Sequence, residues 1–138
     1  MREILFRAKR RDNGEWVEGL LWKKKYKSNK LFISCFPDED DYEEVYVVDP
    51  ETVGQFTGMT DENGVKIFEG DIVAFTRVNV LGWNTHRVGE VRYYDELPIF
   101  YIMATTGDAW DWVVCENIKV IGNIFDDPEL LEGDMIDE

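Results

Sequence analysis

Short runs of β-branched and aromatic residues alternate with polar residues along most of this chain, and glycine, asparagine and aspartate interrupt these runs. Alternation with a period of two places successive side chains on opposite faces of a strand, so the runs predict β-strands separated by turns. The spacing that is typical of helices is almost absent. The pattern therefore predicts an all-β protein.

Outside the central part of the chain, the predicted strands cover residues 4–8, 16–22, 31–36, 45–48, 70–78, 88–94, 99–104, 109–114 and 118–124. Residues 80–86 are predicted as a loop. One short helix is predicted near the C terminus, where Pro128 occupies the first helical position and Asp126 or Asp127 precedes it as a cap.

The central stretch, residues 51–75, is the most informative part of the sequence. Asp61 begins a turn signal that ends with Asn63-Gly64, because Asp and Asn bond their own backbone and Asn-Gly tolerates positive φ. Apolar runs on both sides predict a β-hairpin. Gly70-Asp71 predicts a second turn, in which the Asp71 carboxylate bonds backbone amides around Gly70.

Residues 55–73, with the sequence QFTGMTDENGVKIFEGDIV, resemble the signature of the YopX family of small prophage and phage proteins. The first eight residues, MREILFRA, are similar to the opening of that family, and residues 119–131, KVIGNIFDDPELL, are similar to its closing segment. Residues 23–44 and 77–111 match only loosely. The resemblance implies a β-rich phage protein and supplies no catalytic residue that could be carried over.

The order of the glycine-containing strands after residue 50 resembles an SH3-like small barrel. By this analogy, we expect a small β-barrel over residues 51–125 and an N-terminal β-meander over residues 1–50 that packs on it. Residues 126–138 are then the short helix and an acidic tail. A length of 138 residues is consistent with one domain, or with two small lobes that share a core.

Composition and charge exclude several classes of protein. Hydrophobic residues make up 44% of the chain, which excludes a disordered protein. The formal net charge is −14, but residues 1–30 carry ten Lys/Arg against four Asp/Glu, whereas residues 31–138 carry five against 25. An acidic surface repels phosphate backbones, so general affinity for nucleic acid is disfavoured everywhere except near the basic N-terminal residues.

The sequence also indicates where the protein is located and whether its cysteines are paired. No segment approaches the roughly 20 apolar residues of a membrane span, and the N terminus does not resemble a signal peptide. We therefore expect a cytoplasmic protein, which for a phage protein means the cytoplasm of the host cell. In that reducing compartment Cys35 and Cys115 are expected to be free and buried, with a disulfide as the alternative.

Searches for catalytic, cofactor-binding and metal-binding residues yield none that we adopt. His86 is a single histidine in a predicted loop, so its pairing with a nucleophile is disfavoured against a plain surface position. Glu69 and Asp71 could form an acid/base pair, but turn chemistry explains them better. The acidic residues 38–44 could bind a divalent cation, although a solvated loop is favoured because like charges repel.

Two groups of residues are candidates for partner binding. Trp110 and Trp112 lie two positions apart in a predicted strand, so they share one face, and with Trp83 they form either core or an exposed patch. The basic segment beside Trp22 and Tyr26 could contact nucleic acid or an acidic partner; it consists of Lys23, Lys24, Lys25, Lys27 and Lys30. It could equally face the acidic remainder of a neighbouring copy, which would favour head-to-tail or ring-like self-association.

The sequence therefore predicts a phage-derived binding protein without enzymatic activity, which acts on a protein partner or associates with itself. The alternatives are a nucleic-acid-associated small barrel that uses the basic residues 1–30, and an acidic DNA mimic that inhibits a host protein. A hydrolase is a third and weaker interpretation.

Overall fold

A computed structural model describes residues 3–24, 30–36, 42–78, 84–96 and 98–132. The strands are β1 (Phe6–Lys9), β2 (Trp16–Lys23), β3 (Leu31–Cys35), β4 (Glu44–Val48), β5 (Gly54–Thr60), β6 (Lys66–Phe68), β7 (Asp71–Val78), β8 (Asn84–Tyr94), β9 (Ile99–Ala104), β10 (Ala109–Trp110) and β11 (Cys115–Asn123). The helical segments within these described ranges are short 3-10 turns at Pro50–Thr52, Trp112–Val114 and Pro128–Leu131. The predicted all-β fold is confirmed. No helix in the described ranges is long and apolar enough to cross a membrane.

The chain divides into two compact units, Met1–Gly58 and Met59–Glu138. The sequence-based boundary after residue 50 lies earlier than this division. The reason is the pairing of Gly54 and Gln55, at the start of β5, with Arg7 and Phe6 of β1. Because of this pairing, residues 51–58 belong to the first unit.

In the first unit β4, β3, β2, β1 and β5 lie side by side in that order, and each adjacent pair is antiparallel. β1 to β4 form the predicted meander. A bridge between Arg10 and Val48 brings β4 back to the end of β1, so the sheet curls. The concave side, which we call the inner face, carries the fully buried residues Ala8, Ile33 and Val48.

In the second unit β10, β9, β8, β7 and β11 form an antiparallel sheet in that order. Its core contains Ile67, Val73, Phe75, Val91 and Ile102, all almost completely buried. The outer edge of β11 is capped by the turn after β5, because the Glu62 amide donates to the Ile118 carbonyl oxygen at 2.9 Å. An SH3-like arrangement of these strands stays a prediction.

Two predicted turns have the expected chemistry, with one difference. Gly64 has a φ of 82° and Gly70 a φ of 92°, but Asn63 stays at negative φ, so the Asn-Gly pair supplies one left-handed residue instead of two. The turn is held instead by Asp61, whose carboxylate accepts from the amides of Asn63 and Val65 at 2.8 and 2.9 Å. Because Asp61 accepts the amides of both Asn63 and Val65, the turn forms with Gly64 as its left-handed residue and Asn63 at negative φ.

The strand predicted over residues 109–114 is wrong beyond Trp110. The Asp111 carbonyl oxygen accepts the amide of Val114 at 3.2 Å and the Cys115 thiol at 3.4 Å, and this turns the chain into the 3-10 segment Trp112–Val114. Trp110 and Trp112 therefore do not share one face of a strand. The prediction of a shared face assumed that residues 109–114 form one extended strand, but the chain turns after Trp110.

The loop predicted over residues 80–86 is wrong at its end. β8 begins at Asn84, and His86 pairs with Thr76 of β7. The predicted helix is one turn of 3-10 helix that begins at Pro128 and is preceded by Asp127. The Asp127 carboxylate does not cap that turn, since it accepts the amide of Asn123 at 3.2 Å instead.

Candidate interaction surface

One face of the first unit combines exposed apolar side chains with neighbouring cations. Strand register places Trp22 opposite Phe32 and Phe32 opposite Val47, on the side of the sheet away from the inner face. The next row on that side is formed by Leu20, Ser34 and Val45. We call Leu20, Trp22, Phe32, Val45 and Val47 the outer apolar face.

Exposure distinguishes this face from an ordinary sheet surface. Leu20 is 52% exposed, Val45 45% and Trp22 39%. Single exposed apolar residues are common, but contiguous ones in soluble proteins mark surfaces that bind something. Three adjacent strands contribute to this one: Trp22 and Val47 both pair with Phe32, and in the next row Leu20 and Val45 both pair with Ser34.

The centre of the face is held in a fixed conformation. The Trp22 and Phe32 rings are stacked with their centroids 4.4 Å apart and an interplanar angle of 13°. The Trp22 indole nitrogen donates to Ser34 Oγ at 2.8 Å, and Ser34 is almost completely buried. An aromatic side chain fixed by stacking and a hydrogen bond loses little conformational entropy on binding, which suits an anchor residue.

Positive charge lies on the β1 side of this face. The Arg7 guanidinium lies 4.8 Å from the centroid of the Trp16 ring, and the Lys9 ammonium lies 5.5 Å from the same ring. Alternation places all three side chains on the same side of the sheet as Leu20, because Lys9 is paired with Trp16 and Arg7 with Glu18. Cations held against an aromatic ring keep their charge near an apolar surface.

Further basic residues lie at or after the end of β2, or beyond β1. Lys23 and Lys24 are exposed immediately after Trp22, whereas the predicted Lys25 lies outside the described residues. Arg10 is largely neutralised, since it donates to both oxygens of Asp12 at 3.0 and 2.7 Å. That hydrogen bond holds the pKa of Asp12 below its ordinary value.

Two of the tryptophans that the sequence analysis selected lie in the second unit. Trp110 and Trp112 are half-buried and pack against the core of the second unit. The Arg77 guanidinium lies 4.0 Å from the centroid of the Trp110 ring, so this indole is covered on one face by a cation. Trp83 lies outside the described residues. Trp110 and Trp112 therefore do not form an exposed patch.

The polar candidates at the second turn are structural. Asp71 is fully buried and accepts the amide of Phe68 at 2.7 Å, in the turn around Gly70. Gly70 donates its amide to the Val91 carbonyl and accepts the amide of Ile124, both at 2.9 Å. Asn63 and Gly64 lie in the turn between β5 and β6, and Gly70 lies in the turn between β6 and β7, immediately before Asp71.

Nucleophile and metal candidates can also be placed. Both cysteines are free, and burial raises the pKa of the Cys115 thiol to about 11, so it stays protonated at neutral pH. His86 is exposed and its Nδ1 lies 3.1 Å from Thr76 Oγ1. Across the described ranges no group of three or more His, Cys, Asp and Glu could hold a metal ion. Of the acidic stretch 38–44, residues 38–41 lie outside those ranges.

Sequence reasoning missed the outer apolar face, except for noting Trp22 beside the lysines. A usable signal existed in β2, WVEGLLWK, where both alternating sets contain large apolar residues. Only one face of a curled sheet can point into its core, so a strand that is apolar on both faces predicts an exposed apolar surface. Which set faces outward depends on curvature, which the pattern does not contain.

Comparison with known proteins adds family and fold. The family model described as YopX protein matches residues 5–132. Among solved structures, the chain is similar to the crystal structure of protein EF1440 from Enterococcus faecalis, with a TM-score of 0.55 and 25% sequence identity. That similarity covers 96% of this chain and 100% of the other. No curated protein matches the chain.

Proposed function

We propose, from the premise that this chain belongs to the YopX family, that it is a binding protein without enzymatic activity that docks a protein partner on the outer apolar face. The observation that carries the proposal is the exposure of Leu20, Trp22 and Val45 in two neighbouring rows of one sheet face, around the stacked Trp22–Phe32 pair. Aromatic anchors amid aliphatic contacts, with charges at the rim, are typical of protein–protein interfaces.

The chemistry of the face favours a protein over a nucleic acid as its partner. Leu20 and Val45 offer aliphatic surface, which gives bases no ring on which to stack, and Trp22 already uses one ring face on Phe32. The formal net charge of −14 adds long-range repulsion toward phosphate. An apolar patch on a protein partner does not need a free ring face for stacking and carries no phosphate charge that this chain would repel.

The proposal extends to the setting in which the protein acts. The resemblance to prophage and phage proteins supports a phage-derived protein that works in the cytoplasm of the host cell. We also propose that the second unit is an SH3-like barrel and that the meander of the first unit is the part that binds the partner.

A charge placed in the outer apolar face is expected to weaken partner binding by about tenfold or more, because an unpaired carboxylate would have to be desolvated at the interface. The variant is Val45→Asp. Its matched control is Val65→Asp, since Val45 and Val65 are 45% and 49% exposed. Proteins captured from host extract by the wild type and both variants are quantified by mass spectrometry, and the affinity of the captured protein is then measured with purified components.

The expected pattern is loss with Val45→Asp and full capture with Val65→Asp. If both variants retained the same set of proteins with the same affinities, the outer apolar face would not be the docking surface.

A second candidate function is supported by the cations around Trp16 and by the exposed Lys23 and Lys24. On this alternative the basic residues bind nucleic acid, and complex formation with a short DNA duplex weakens steeply as salt rises. The acidic remainder of the chain also suits a DNA mimic, which would bind a host DNA-binding protein and ignore the duplex. Size-exclusion chromatography with light scattering, with and without duplex at low and high salt, separates the nucleic-acid alternative from the leading proposal. The DNA mimic is distinguished by the identity of its partner, because the protein captured from host extract would be a DNA-binding protein.

A further inference from the structure

We infer that the outer apolar face binds a second copy of this chain through the end of its β8–β9 hairpin. This inference rests on the proposed function and names the partner. It follows from a second exposed apolar group on the molecule, which carries the opposite charge.

The end of the β8–β9 hairpin exposes large apolar side chains on both faces. Tyr94 and Ile99 are direct cross-strand partners and are 41% and 47% exposed. On the opposite face Tyr93 is also exposed, and its ring meets Phe100 edge-on with centroids 5.1 Å apart. We call Tyr93, Tyr94, Asp95, Glu96 and Ile99 the hairpin end.

Cross-strand contacts hold this hairpin end in shape. The Tyr94 ring meets the Tyr101 ring edge-on at 6.3 Å between centroids, and the Tyr94 hydroxyl donates to Glu96 at 3.3 Å. β8 and β9 pair without a register shift from Gly89 and Ala104 to Tyr94 and Ile99. A projecting group that is already ordered needs little rearrangement to enter a complementary surface.

Charge distinguishes the two surfaces. Asp95 and Glu96 are exposed in the turn of the hairpin end. On the side of the outer apolar face lie Arg7 and Lys9 of β1, together with Glu18, the cross-strand partner of Arg7. Lys24 follows the end of β2, whereas Lys23 pairs with Leu31 on the opposite side of the sheet. Complementary potentials favour pairing between the two surfaces and disfavour pairing of like with like.

The complementarity fixes the type of contact. Pairing two hairpin ends brings four carboxylates together, and pairing two outer apolar faces brings their cations together. The mixed contact joins apolar centre to apolar centre and cation to carboxylate. Such a contact is heterologous, so each copy offers one surface of each kind and can bind a copy at either.

The test is the mass of the full-length protein by light scattering over a range of concentrations. The wild type is expected to associate as concentration rises, and Val65→Asp is expected to behave identically. Val45→Asp disables the outer apolar face and Ile99→Asp disables the hairpin end, so each alone is expected to be monomeric. Tyr94→Ser serves as a second hairpin-end variant, and thermal melting confirms that every variant is folded.

The decisive sample is an equimolar mixture of Val45→Asp and Ile99→Asp. One retains the hairpin end and the other retains the outer apolar face, so a heterologous contact yields a one-to-one dimer from two monomeric variants. Self-association of Ile99→Asp alone would indicate face-to-face pairing, and self-association of Val45→Asp alone would indicate pairing of hairpin ends. Either result overturns the inference.

A wild type that stays monomeric at every concentration also overturns it. The proposed function is tested separately by the capture experiment. If a different protein is captured and only Val45→Asp abolishes its capture, the outer apolar face is still the docking surface, but its partner is not a second copy of this chain.

Discussion

Replacing Asp61 with Ala is expected to lower the free energy of unfolding of the second unit by about 3 kcal/mol. The buried carboxylate accepts three backbone amides, those of Asn63, Val65 and Val120, at 2.8, 2.9 and 2.9 Å. The bond to Val120 joins the turn after β5 to β11. Its loss leaves the half-buried Val120 amide without its charged acceptor and loosens the hairpin turn at the same time.

Hydrogen exchange localises the effect of Asp61→Ala. Faster exchange is expected for amides of β11 and β6, with β2 and β3 unchanged because they belong to the other unit. Asp61→Asn is the graded control, since it retains one oxygen acceptor and the size of the side chain but loses the charge. Equal stability of wild type and Asp61→Ala would show that the turn does not depend on this carboxylate.

Acidification tests the same carboxylate by another route. Burial alone would raise the pKa of Asp61, but the three backbone amides and Lys119 outweigh it and hold the pKa below the ordinary 3.8. A lowered pKa in the folded state contributes stability above the ordinary value, and this contribution is lost as pH falls through that value toward the folded one. The stability difference between wild type and Asp61→Asn is therefore expected to shrink below about pH 4.

Gly19→Ala is expected to destabilise the first unit by about 3 kcal/mol, at the upper end of the range for an overpacked position. A Cβ atom at position 19 would press against the Ser34 carbonyl oxygen, and it would lie 2.9 Å from the carbonyl carbon and 3.1 Å from Cγ2 of Ile33. Backbone atoms of a paired strand cannot move aside as a flexible side chain can. β2 and β3 must therefore separate, or β2 must bend.

Gly14→Ala is the matched control for Gly19→Ala. Gly14 lies in the same unit at a φ of 75°, and a methyl group added there would meet no atom within 4 Å, so only the left-handed backbone is strained. That strain costs about 1 kcal/mol. Urea unfolding and hydrogen exchange of β2 and β3 compare the two variants. Equal losses for both would mean that the close approach at Gly19 is relieved at little cost.

Alternation was sufficient to predict the all-β class and most strands, because burial on one face enforces it locally. It failed where a distant or local polar contact decided the outcome. The Asp111 carbonyl ended β10 after Trp110, and so it separated two tryptophans that alternation had placed on one face. The Asp61 contact with Val120 joins residues far apart in sequence, which no local pattern records.

The binding surface was harder to predict than the fold for a related reason. In β2, Val17 and Leu21 are as apolar as Leu20 and Trp22, so composition does not say which set faces the core. The direction in which the sheet curls, which the Arg10–Val48 bridge shows, determines which of the two sets faces the core. The stacked Trp22–Phe32 pair also depends on strand register, which turn sequences only partly determine.

Site-specific photo-crosslinking at position 45 tests the proposed docking surface most directly. A photoreactive amino acid replaces Val45 in protein produced in host cells, and the same substitution at the equally exposed Val65 is the control. The expected result is a crosslinked protein adduct at position 45 that resists nuclease and is absent at position 65. A nucleic-acid adduct at position 45, or equal adducts at both positions, would contradict protein docking on the outer apolar face.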